Sequence, residues 1–171
     1  MPTVLNLKPE EVDTNEKRSK YTVCVVGCGQ KGILYANAFA ESGFKVICTD
    51  ADPTVIKKVG KGKTPNSQPQ VEAKLKSHLS SGQITVSNER KKAVFQSDLV
   101  IIAIGAKVDE QKKPDYTQII SACKQVGAAL QKGTIVIYSG VAGIGFTEGT
   151  VREILENTSG LKAGQDFGLA Y

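Results

Sequence analysis

Gly27, Gly29 and Gly32 form the pattern Gly-x-Gly-x-x-Gly, which carries the most specific chemical signal in the sequence. The pattern follows an apolar, β-branched run and precedes apolar residues at helical spacing. In such a turn the first glycine lets the chain leave the strand, the second leaves room for a pyrophosphate, and the third lets the helix pack on the sheet. Amides at the start of the helix, including those of Gln30 and Lys31, would bind the phosphates. This predicts a dinucleotide site; a glycine turn without a ligand is the alternative.

Asp50 is the second informative residue, because it closes the next apolar run at residues 44–49. A carboxylate at this place accepts hydrogen bonds from a ribose diol and repels a 2′-phosphate, which favours NAD over NADP. Two alternatives remain open: Asp50 only caps the following turn, or Asp52 shares the contact with the ribose. The nearby positive charges of Lys57 and Lys58 weaken the preference against a 2′-phosphate.

Two further loops are candidate site segments, since ligands of doubly wound sheets bind beyond the carboxyl ends of the strands. One loop comprises residues 105–109, and we expect Ala103 and Gly105 to line the cofactor site there. The other is the glycine-rich stretch from Ser139 to Glu148. We expect Ser139 to contact the cofactor, and Glu148 places a carboxylate in the first turn of the helix that follows. A carboxylate in the first turn of a helix is also favoured by the helix dipole, so a capping role is the alternative for Glu148.

Strands and helices alternate along the chain, and this order predicts how the site residues are positioned. Strands are expected at residues 21–26, 44–49, 84–86, 98–104, 134–138 and 167–171. Helices are expected at residues 33–42, 53–59, 71–80, 89–96, 115–130 and 146–157. The predicted fold class is α/β, with a Rossmann-type doubly wound parallel sheet and helices on both faces, over residues 21–171. Residues 1–20 are expected to form an extension with a short helical piece near residues 9–12.

The composition is that of an ordinary globular domain, since the 171 residues are 40% hydrophobic and 23% charged. The sequence has neither an apolar run long enough for a membrane span nor the apolar stretch of a signal peptide, which predicts a cytoplasmic protein without a membrane partner. The net charge of +5 arises in residues 57–76, which hold six lysines and one acidic residue. Because no aromatic residue lies between these lysines, a nucleic-acid partner is not expected.

The four cysteines and the single histidine fit no zinc pattern, so a metal site is not expected. A chain of this size without an export signal does not need disulfides, and we expect buried thiols. Cys28 lies inside the glycine loop, where helix amides would lower the pKa of its thiol, but a redox role there is the weaker interpretation.

Six segments in order resemble the N-terminal NAD-binding domain of the UDP-glucose and GDP-mannose (nucleotide-sugar) dehydrogenase family. The first three are the glycine loop at 27–32, residues 44–50, which resemble the family's "xVIGYD", and residues 69–104, which end in a strand like "DVVIIAV". The other three are residues 109–115, which resemble its acidic loop and "PD", residues 139–148, which resemble "STxPxG…TE", and residues 167–171, which resemble the strand leading to "SPE". The order of these segments is more specific than any one of them. The resemblance covers residues 21–171.

The resemblance implies an oxidoreductase that oxidises the primary alcohol of a UDP-sugar to the uronate in two NAD-dependent steps. In that family a cysteine in a later segment holds the aldehyde-level intermediate, and a UDP-binding C-terminal domain follows; neither is present in this chain. Glu148 aligns with a family glutamate that positions or activates water. The chain alone is therefore expected to bind NAD without turnover. Its oligomeric state is left open between a monomer and a homodimer.

Three places depart from the family pattern. Ala106 stands where the family has a threonine that would contact the reacting centre, and residues 140–142 lack the family's threonine and proline. Gln30 and Lys31 stand where the family prefers tyrosine and valine. Two other hypotheses therefore stay open: a stand-alone NAD-binding regulatory module without turnover, and another oxidoreductase of the 6-phosphogluconate-dehydrogenase type.

Overall fold

The computed structural model of the chain describes residues 4–66, 68–108 and 110–171, and a six-stranded parallel sheet forms its centre. The described residues form eight strands: β1 (Thr22–Val26), β2 (Lys45–Thr49), β3 (Ile84–Ser87), β4 (Leu99–Ile102), β5 (Lys107–Val108), β6 (Pro114–Asp115), β7 (Ile135–Tyr138) and β8 (Gly168–Ala170). Across the sheet the order is β3-β2-β1-β4-β7-β8, with parallel neighbours throughout. β5 and β6 form a separate antiparallel pair. The strand order reverses between β1 and β4, where sheets of this kind bind ligands.

Helices cover both faces of the sheet. They are α1 (Asn15–Arg18), α2 (Gln30–Glu41), α3 (Pro53–Gly60), α4 (Pro69–Ser80), α5 (Arg90–Phe95), α6 (Thr117–Gly127) and α7 (Arg152–Ser159). Helices α2, α3 and α4 share one buried core with Val23 and Val25 of β1, while α5, α6 and α7 share the other with Cys24 and Val26. Burial on two sides explains the continuous apolar run of β1. The predicted doubly wound α/β fold is confirmed.

Two helices differ from prediction in an informative way. Helix α6 begins at Thr117, later than predicted, because the Asp115 carboxylate accepts a hydrogen bond from the Thr117 N–H at 2.8 Å and forms a turn first. The helix predicted over residues 146–157 opens with a π-helical turn, Thr147–Val151, before α7. Apolar spacing reports the α-helical period and does not reveal such a widened turn.

The N-terminal segment, residues 4–21, holds more regular structure than the single helical piece predicted near residues 9–12. It contains two short 3-10 turns, Val4–Asn6 and Pro9–Glu11, followed by α1. Arg18 at the end of α1 fixes this segment, since its Nη1 donates to the Ser42 carbonyl at 3.1 Å, just beyond α2. This contact joins positions far apart in sequence, so no local pattern announced it.

Apolar side chains of the N-terminal segment cover the amino edge of the sheet. Val4 and Leu7 close a small cavity of about 190 Å³ together with Phe44, which precedes β2. Leu5 lies against Gly168 of β8. The segment therefore lies at the edge opposite to the one at which the predicted ligand site is placed.

All four cysteines are buried and carry free thiols, as predicted. Within residues 4–66, 68–108 and 110–171, no helix is both long and apolar enough to cross a membrane. The same described residues contain no cluster of His, Cys, Asp and Glu side chains that could hold a metal ion.

Candidate dinucleotide-binding site

Gly27 makes the turn that takes the chain out of β1 and towards α2. Its φ of +100° lies in the left-handed region, which side chains rarely adopt. A Cβ at this position would also lie 2.8 Å from Cγ1 of Ile104, beyond β4. The Gly27 N–H donates to the Thr49 carbonyl at 2.8 Å, which ties the turn to the end of β2.

The absence of a side chain has different consequences at Gly32 and at Gly29. A Cβ on Gly32 would collide with the backbone oxygen of Gly27, so a side chain there would push α2 away from β1. A Cβ on Gly29 would meet no atom within 4 Å. Gly29 is the N-cap of α2, and its backbone is extended and exposed. No contact within the described chain requires a glycine at this second position, so the space in front of it suits a ligand.

Asp50 follows β2 directly and holds two loops together. Its Oδ2 accepts a hydrogen bond from the Cys28 N–H at 2.7 Å, and its Oδ1 accepts one from the Asp52 N–H at 3.0 Å. The carboxylate is thus fixed beside the glycine loop and also caps the following turn. Each carboxylate oxygen has a second lone pair, so Asp50 keeps acceptor capacity for hydroxyl groups of a ligand.

Asp52, the alternative ribose contact, is engaged at the start of α3. Its Oδ1 accepts a hydrogen bond from the Thr54 N–H at 2.8 Å, and the side chain is exposed. Hydrogen bonds from the side chain and backbone of Thr54 hold the pKa of Asp52 below its usual value. Asp52 therefore serves as a helix cap, and Asp50 is the carboxylate bonded to the glycine loop.

A cavity of about 470 Å³ lies at the carboxyl ends of β1, β2 and β4. It brings together five residues predicted from sequence for the cofactor: Gly27, Gly29, Asp50, Ala103 and Gly105. Asp52, the alternative ribose contact, also lines it. The predicted Gln30, Lys31, Gly32, Ser139 and Glu148 do not line it. Asp109, at the end of the predicted loop after β4, is outside the described residues.

Several residues that line this cavity were not predicted from the sequence. Thr117, Gln118 and Ser121 come from the first turns of α6, and Arg90 comes from the start of α5. The polar residues Thr117, Ser121 and Gln125 recur at helical spacing, which gave a usable signal for one polar face of α6. Arg90 is a single charged residue in a short helix, and nothing local marked it as buried.

Cys28 is a buried thiol, as expected, and its pKa argues against the weaker interpretation of a redox role. The thiol is fully buried, and a hydrogen bond with Cys48 followed by desolvation raises its pKa well above the usual value. The alternative, in which helix amides lower the pKa of this thiol, does not hold, because burial beside a second thiol raises the pKa. Buried, protonated thiols of this kind are unreactive.

Lys31 and Ser139 meet at the other end of the carboxyl edge. The Lys31 Nζ donates to the Ser139 carbonyl at 3.2 Å, and the Tyr35 hydroxyl lies 2.6 Å from Oγ of Ser139. Both Lys31 and Tyr35 belong to α2, so these contacts connect the helix that follows the glycine loop to the end of β7. Lys31 and Ser139 are thus brought together, although neither lines the Asp50 cavity.

Glu148 lies in a separate place, within the π-helical turn. It is exposed and lines a cavity of about 290 Å³ together with Phe146 and Tyr171. Phe146 stacks on Tyr116 with ring centroids 4.4 Å apart, which anchors the turn. The structure therefore does not place Glu148 in the same cavity as Asp50.

The residues around the cavity that contains Gly29 and Asp50 fit a dinucleotide. Gly29 leaves open space before the first amides of α2, where free N–H groups and the helix dipole favour a phosphate. Asp50 offers carboxylate oxygens to hydroxyl groups next to that space. A pyrophosphate and a neighbouring ribose require this combination of donors and acceptors.

Comparison with known proteins decides the family. The profile described as "UDP-glucose/GDP-mannose dehydrogenase family, NAD binding domain" matches residues 21–171. This chain belongs to that family. The family resemblance predicted from the ordered segments is confirmed, and NAD is the cofactor of the matching domain.

Relatives within the family are much longer than this chain. GDP-mannose 6-dehydrogenase of Pseudomonas aeruginosa is 30% identical over 151 residues, covering 86% of this chain and 34% of the relative. UDP-N-acetyl-D-mannosamine dehydrogenase of Pyrococcus horikoshii is 32% identical over 149 residues, covering 87% of this chain and 35% of the relative. The chain therefore spans about a third of the length of these family members.

Solved structures of family members share the fold. A ternary complex of GDP-mannose dehydrogenase from Pseudomonas aeruginosa superimposes with a TM-score of 0.81 at 29% identity, covering 86% of this chain and 34% of that one. NDP-N-acetyl-D-galactosaminuronic acid dehydrogenase from Methanosarcina mazei Go1 gives the same TM-score of 0.81 at 28% identity, covering 91% of this chain and 36% of that one. The chain is thus similar to the NAD-binding portion of nucleotide-sugar dehydrogenases.

Proposed function

We propose that the chain is the NAD-binding part of an enzyme that oxidises the primary alcohol of a UDP-sugar to the uronate in two steps. The open space at Gly29, beside the Asp50 carboxylate, is the observation that carries this proposal. Family membership over residues 21–171 supports it. The sugar-nucleotide site and the nucleophilic cysteine would come from polypeptide corresponding to the rest of the relatives' length. The chain alone would then bind NAD without oxidising a sugar nucleotide.

The glycine loop and α2 would hold the pyrophosphate of the cofactor. Gly29, Gln30 and Lys31 are at the N-terminus of a 12-residue helix, where unpaired amides and the helix dipole attract negative charge. Gly32 would act indirectly, by letting α2 approach the end of β1. NAD, when bound, supplies the chemistry by accepting a hydride.

Asp50 would accept hydrogen bonds from the hydroxyls of the adenosine ribose and disfavour a 2′-phosphate. Its two backbone hydrogen bonds keep the carboxylate oriented without occupying all of its lone pairs. Ala103 and Gly105, at the end of β4, would line the path of the dinucleotide. Ser139, held against Lys31 and Tyr35, would contact the cofactor beyond them.

Glu148 would position or activate a water molecule in the second half of the reaction. Its exposure and its separation from the Asp50 cavity agree with a role towards substrate rather than towards the adenosine of the cofactor. A carboxylate in this role accepts a proton from water and orients its oxygen. The proposal concerns Glu148 only, because the other groups of such a site are not in this chain.

A stand-alone NAD-binding module without turnover is the second candidate. A Cβ at Gly140 would collide with the Ile104 carbonyl, so the threonine that the family pattern has here does not fit. The Ala106 N–H donates to the Val141 carbonyl at 2.9 Å, which ties the two divergent loops together. These loops have packed around residues that lack the family's hydroxyl groups, which favours a binding role.

We also propose that the protein acts in the cytoplasm, with NAD and a UDP-sugar as ligands and without a nucleic-acid or membrane partner. The lysine-rich stretch at residues 57–76 contains ion-paired members, since Lys63 contacts Glu72 and Lys74 contacts Glu41. A homodimer is the proposed assembly. Light scattering on the purified chain tests it, and a monomer mass at all concentrations would exclude it.

Calorimetric titration of the purified chain with NAD and then NADP tests the cofactor part of the proposal. We expect NAD to bind and NADP to bind more weakly, because Asp50 repels the added phosphate. Absence of binding for both would contradict the proposed function of this chain.

A turnover assay with UDP-sugars separates the two candidates. The chain alone is expected to form no NADH with any UDP-sugar, and NADH formation would contradict the proposed place of the nucleophile. Addition of the polypeptide that corresponds to the rest of a family member should restore turnover if the chain is part of an enzyme. NAD binding without restored turnover would favour the stand-alone module.

A further inference from the structure

Arg90, the first residue of α5, carries a buried guanidinium with most of its donors unused. The residue is only 6% exposed. Its Nη1 donates to Oε1 of Gln125 on α6 at 3.2 Å. Its Nε and Nη2 are buried and have no hydrogen-bond partner among the described residues. An arginine has five N–H donors, so this arrangement leaves the group poorly satisfied.

Among the described residues, no charged group accepts a hydrogen bond from Nε or Nη2 of Arg90. Burial lowers the pKa of Arg90, while the negative charge of Asp50 opposes that effect. Glu89, its neighbour in sequence, instead lies 3.4 Å from Nζ of Lys92. A buried charge without partners is costly, and such groups in folded proteins call for a specific explanation.

Arg90 stands at the wall between two cavities. One is the cavity of about 470 Å³ that contains Gly29 and Asp50. The other has a volume of about 510 Å³ and is lined by Asp50, Asn88 and Gln125 among others. Arg90 and Asp50 line both cavities. A cation and an anion therefore flank one place, at the end of the site where Asp50 would bind a ribose.

We propose that Arg90 is a ligand-binding residue of the NAD site, whose guanidinium donates to a hydroxyl oxygen of the adenosine ribose while that hydroxyl donates to Asp50. This inference rests on the proposed binding of the ribose by Asp50. The guanidinium reaches the ligand by turning away from Gln125, which is its one hydrogen-bond partner among the described residues. A hydroxyl can accept one hydrogen bond and donate another, so it pairs with both side chains.

The same placement affects selection between the two dinucleotides. A guanidinium beside Asp50 offsets part of the repulsion that the carboxylate exerts on a 2′-phosphate, and arginine pairs well with phosphate oxygens. Arg90 is thus a specificity-determining residue: NAD is preferred because of Asp50, and NADP is tolerated because of Arg90. Removal of Arg90 should weaken NADP binding more than NAD binding.

Arg90→Met in the full 171-residue chain is the main test. Titrations with NAD and ADP-ribose should each show roughly tenfold weaker binding, as expected for one lost charge-assisted hydrogen bond. The Tm without ligand should stay equal or rise, because an apolar side chain replaces an unsatisfied buried charge. The NAD affinity of Arg90→Lys should lie between those of Arg90→Met and the unaltered chain, since lysine keeps the charge and loses the planar fork.

Two further variants keep the test informative if Arg90→Met does not fold. Gln125→Glu provides a carboxylate that should hold the guanidinium away from the ligand, so NAD should bind more weakly while the Tm is kept. Lys124→Met is the matched control, because it removes one exposed positive charge next to Gln125 and should leave NAD affinity within about twofold. Unchanged NAD affinity in Arg90→Met would overturn the inference, and so would unchanged NAD affinity in Gln125→Glu if Arg90→Met does not fold. Absence of NAD binding to the unaltered chain would instead overturn the proposed function.

Discussion

The region around Asp50 and the loop after β7 are held in place by different kinds of contact. Asp50 is fixed by two backbone amides, and Gly27 is tied to the end of β2 by a further backbone hydrogen bond. The loop after β7 instead exposes the apolar side chains of Val141 and Ile144 and is anchored by the stacked ring of Phe146. One region is held by the Asp50 carboxylate and the end of β2, and the other by the backbone hydrogen bond between Ala106 and Val141 and by the stacked ring of Phe146.

This difference separates the two halves of the proposed activity. The Asp50 region has its donors, acceptors and open space within this chain, so cofactor binding can be measured on the chain alone. The loop after β7 carries exposed apolar surface, which commonly marks a place of contact with other polypeptide. Residues 140–142 of this loop also depart from the family pattern. Variants in the two regions should therefore have different consequences for folding and for NAD binding.

Gly32→Ala should have the largest effect. The added Cβ collides with the Gly27 carbonyl, and backbone on both sides must move to relieve the collision. We expect a loss of about 3 kcal/mol in the free energy of unfolding, together with loss of NAD binding. Urea denaturation measures the free energy of unfolding, and calorimetry measures NAD binding. A free energy of unfolding equal to that of the unaltered chain would disprove the close approach of α2 to β1.

Asp50→Ala should have the next largest effect. The variant loses the ribose contact and leaves the Cys28 and Asp52 amides without this acceptor. NAD should bind roughly 10- to 100-fold more weakly, as expected for hydrogen bonds to a charged group. Asp52→Ala tests the alternative ribose contact, because Asp52 also lines this cavity; we expect it to affect the start of α3 more than NAD affinity. Equal NAD affinity in Asp50→Ala would exclude the ribose assignment.

Gly29→Ala should change binding and leave stability alone. The added methyl meets no atom of the described chain, but it occupies the space in which the pyrophosphate is expected. NAD affinity should fall about tenfold with the Tm unchanged, because only the approach of the ligand is affected. Comparison with Gly32→Ala then separates a packing role from a ligand role within one loop. A fall in Tm as large as in Gly32→Ala would contradict this distinction.

Glu148→Gln should have the smallest effect on this chain. The side chain is exposed and lines a cavity apart from Asp50, so neither the Tm nor the NAD affinity should change measurably. In a complete enzyme the same substitution should slow oxidation of the sugar nucleotide. Weaker NAD binding by the isolated variant would show that the two regions are coupled after all.

The fold and the glycine loop were predictable because their signals are local. Apolar runs, helical spacing and glycine positions are read within a few residues of each other, and they gave the element order and the Asp50 region. The contact between Tyr35 and Ser139 and the burial of Arg90 against Gln125 depend on residues distant in sequence. Only the packed tertiary structure brings such partners together, so a single sequence could not reveal them.

The contact of Leu5 with Gly168 bears on the order in which this chain folds. The two residues lie near opposite ends of the sequence and pack together at the amino edge of the sheet. During synthesis the first of them emerges early but has no surface to rest on until β8 has paired with β7. Contacts between distant residues also carry a high cost of loop closure and form slowly. Packing of Leu5 on β8 should therefore be among the later events of folding and its loss among the earlier events of unfolding, whereas the contact of Arg18 with Ser42 does not depend on β8.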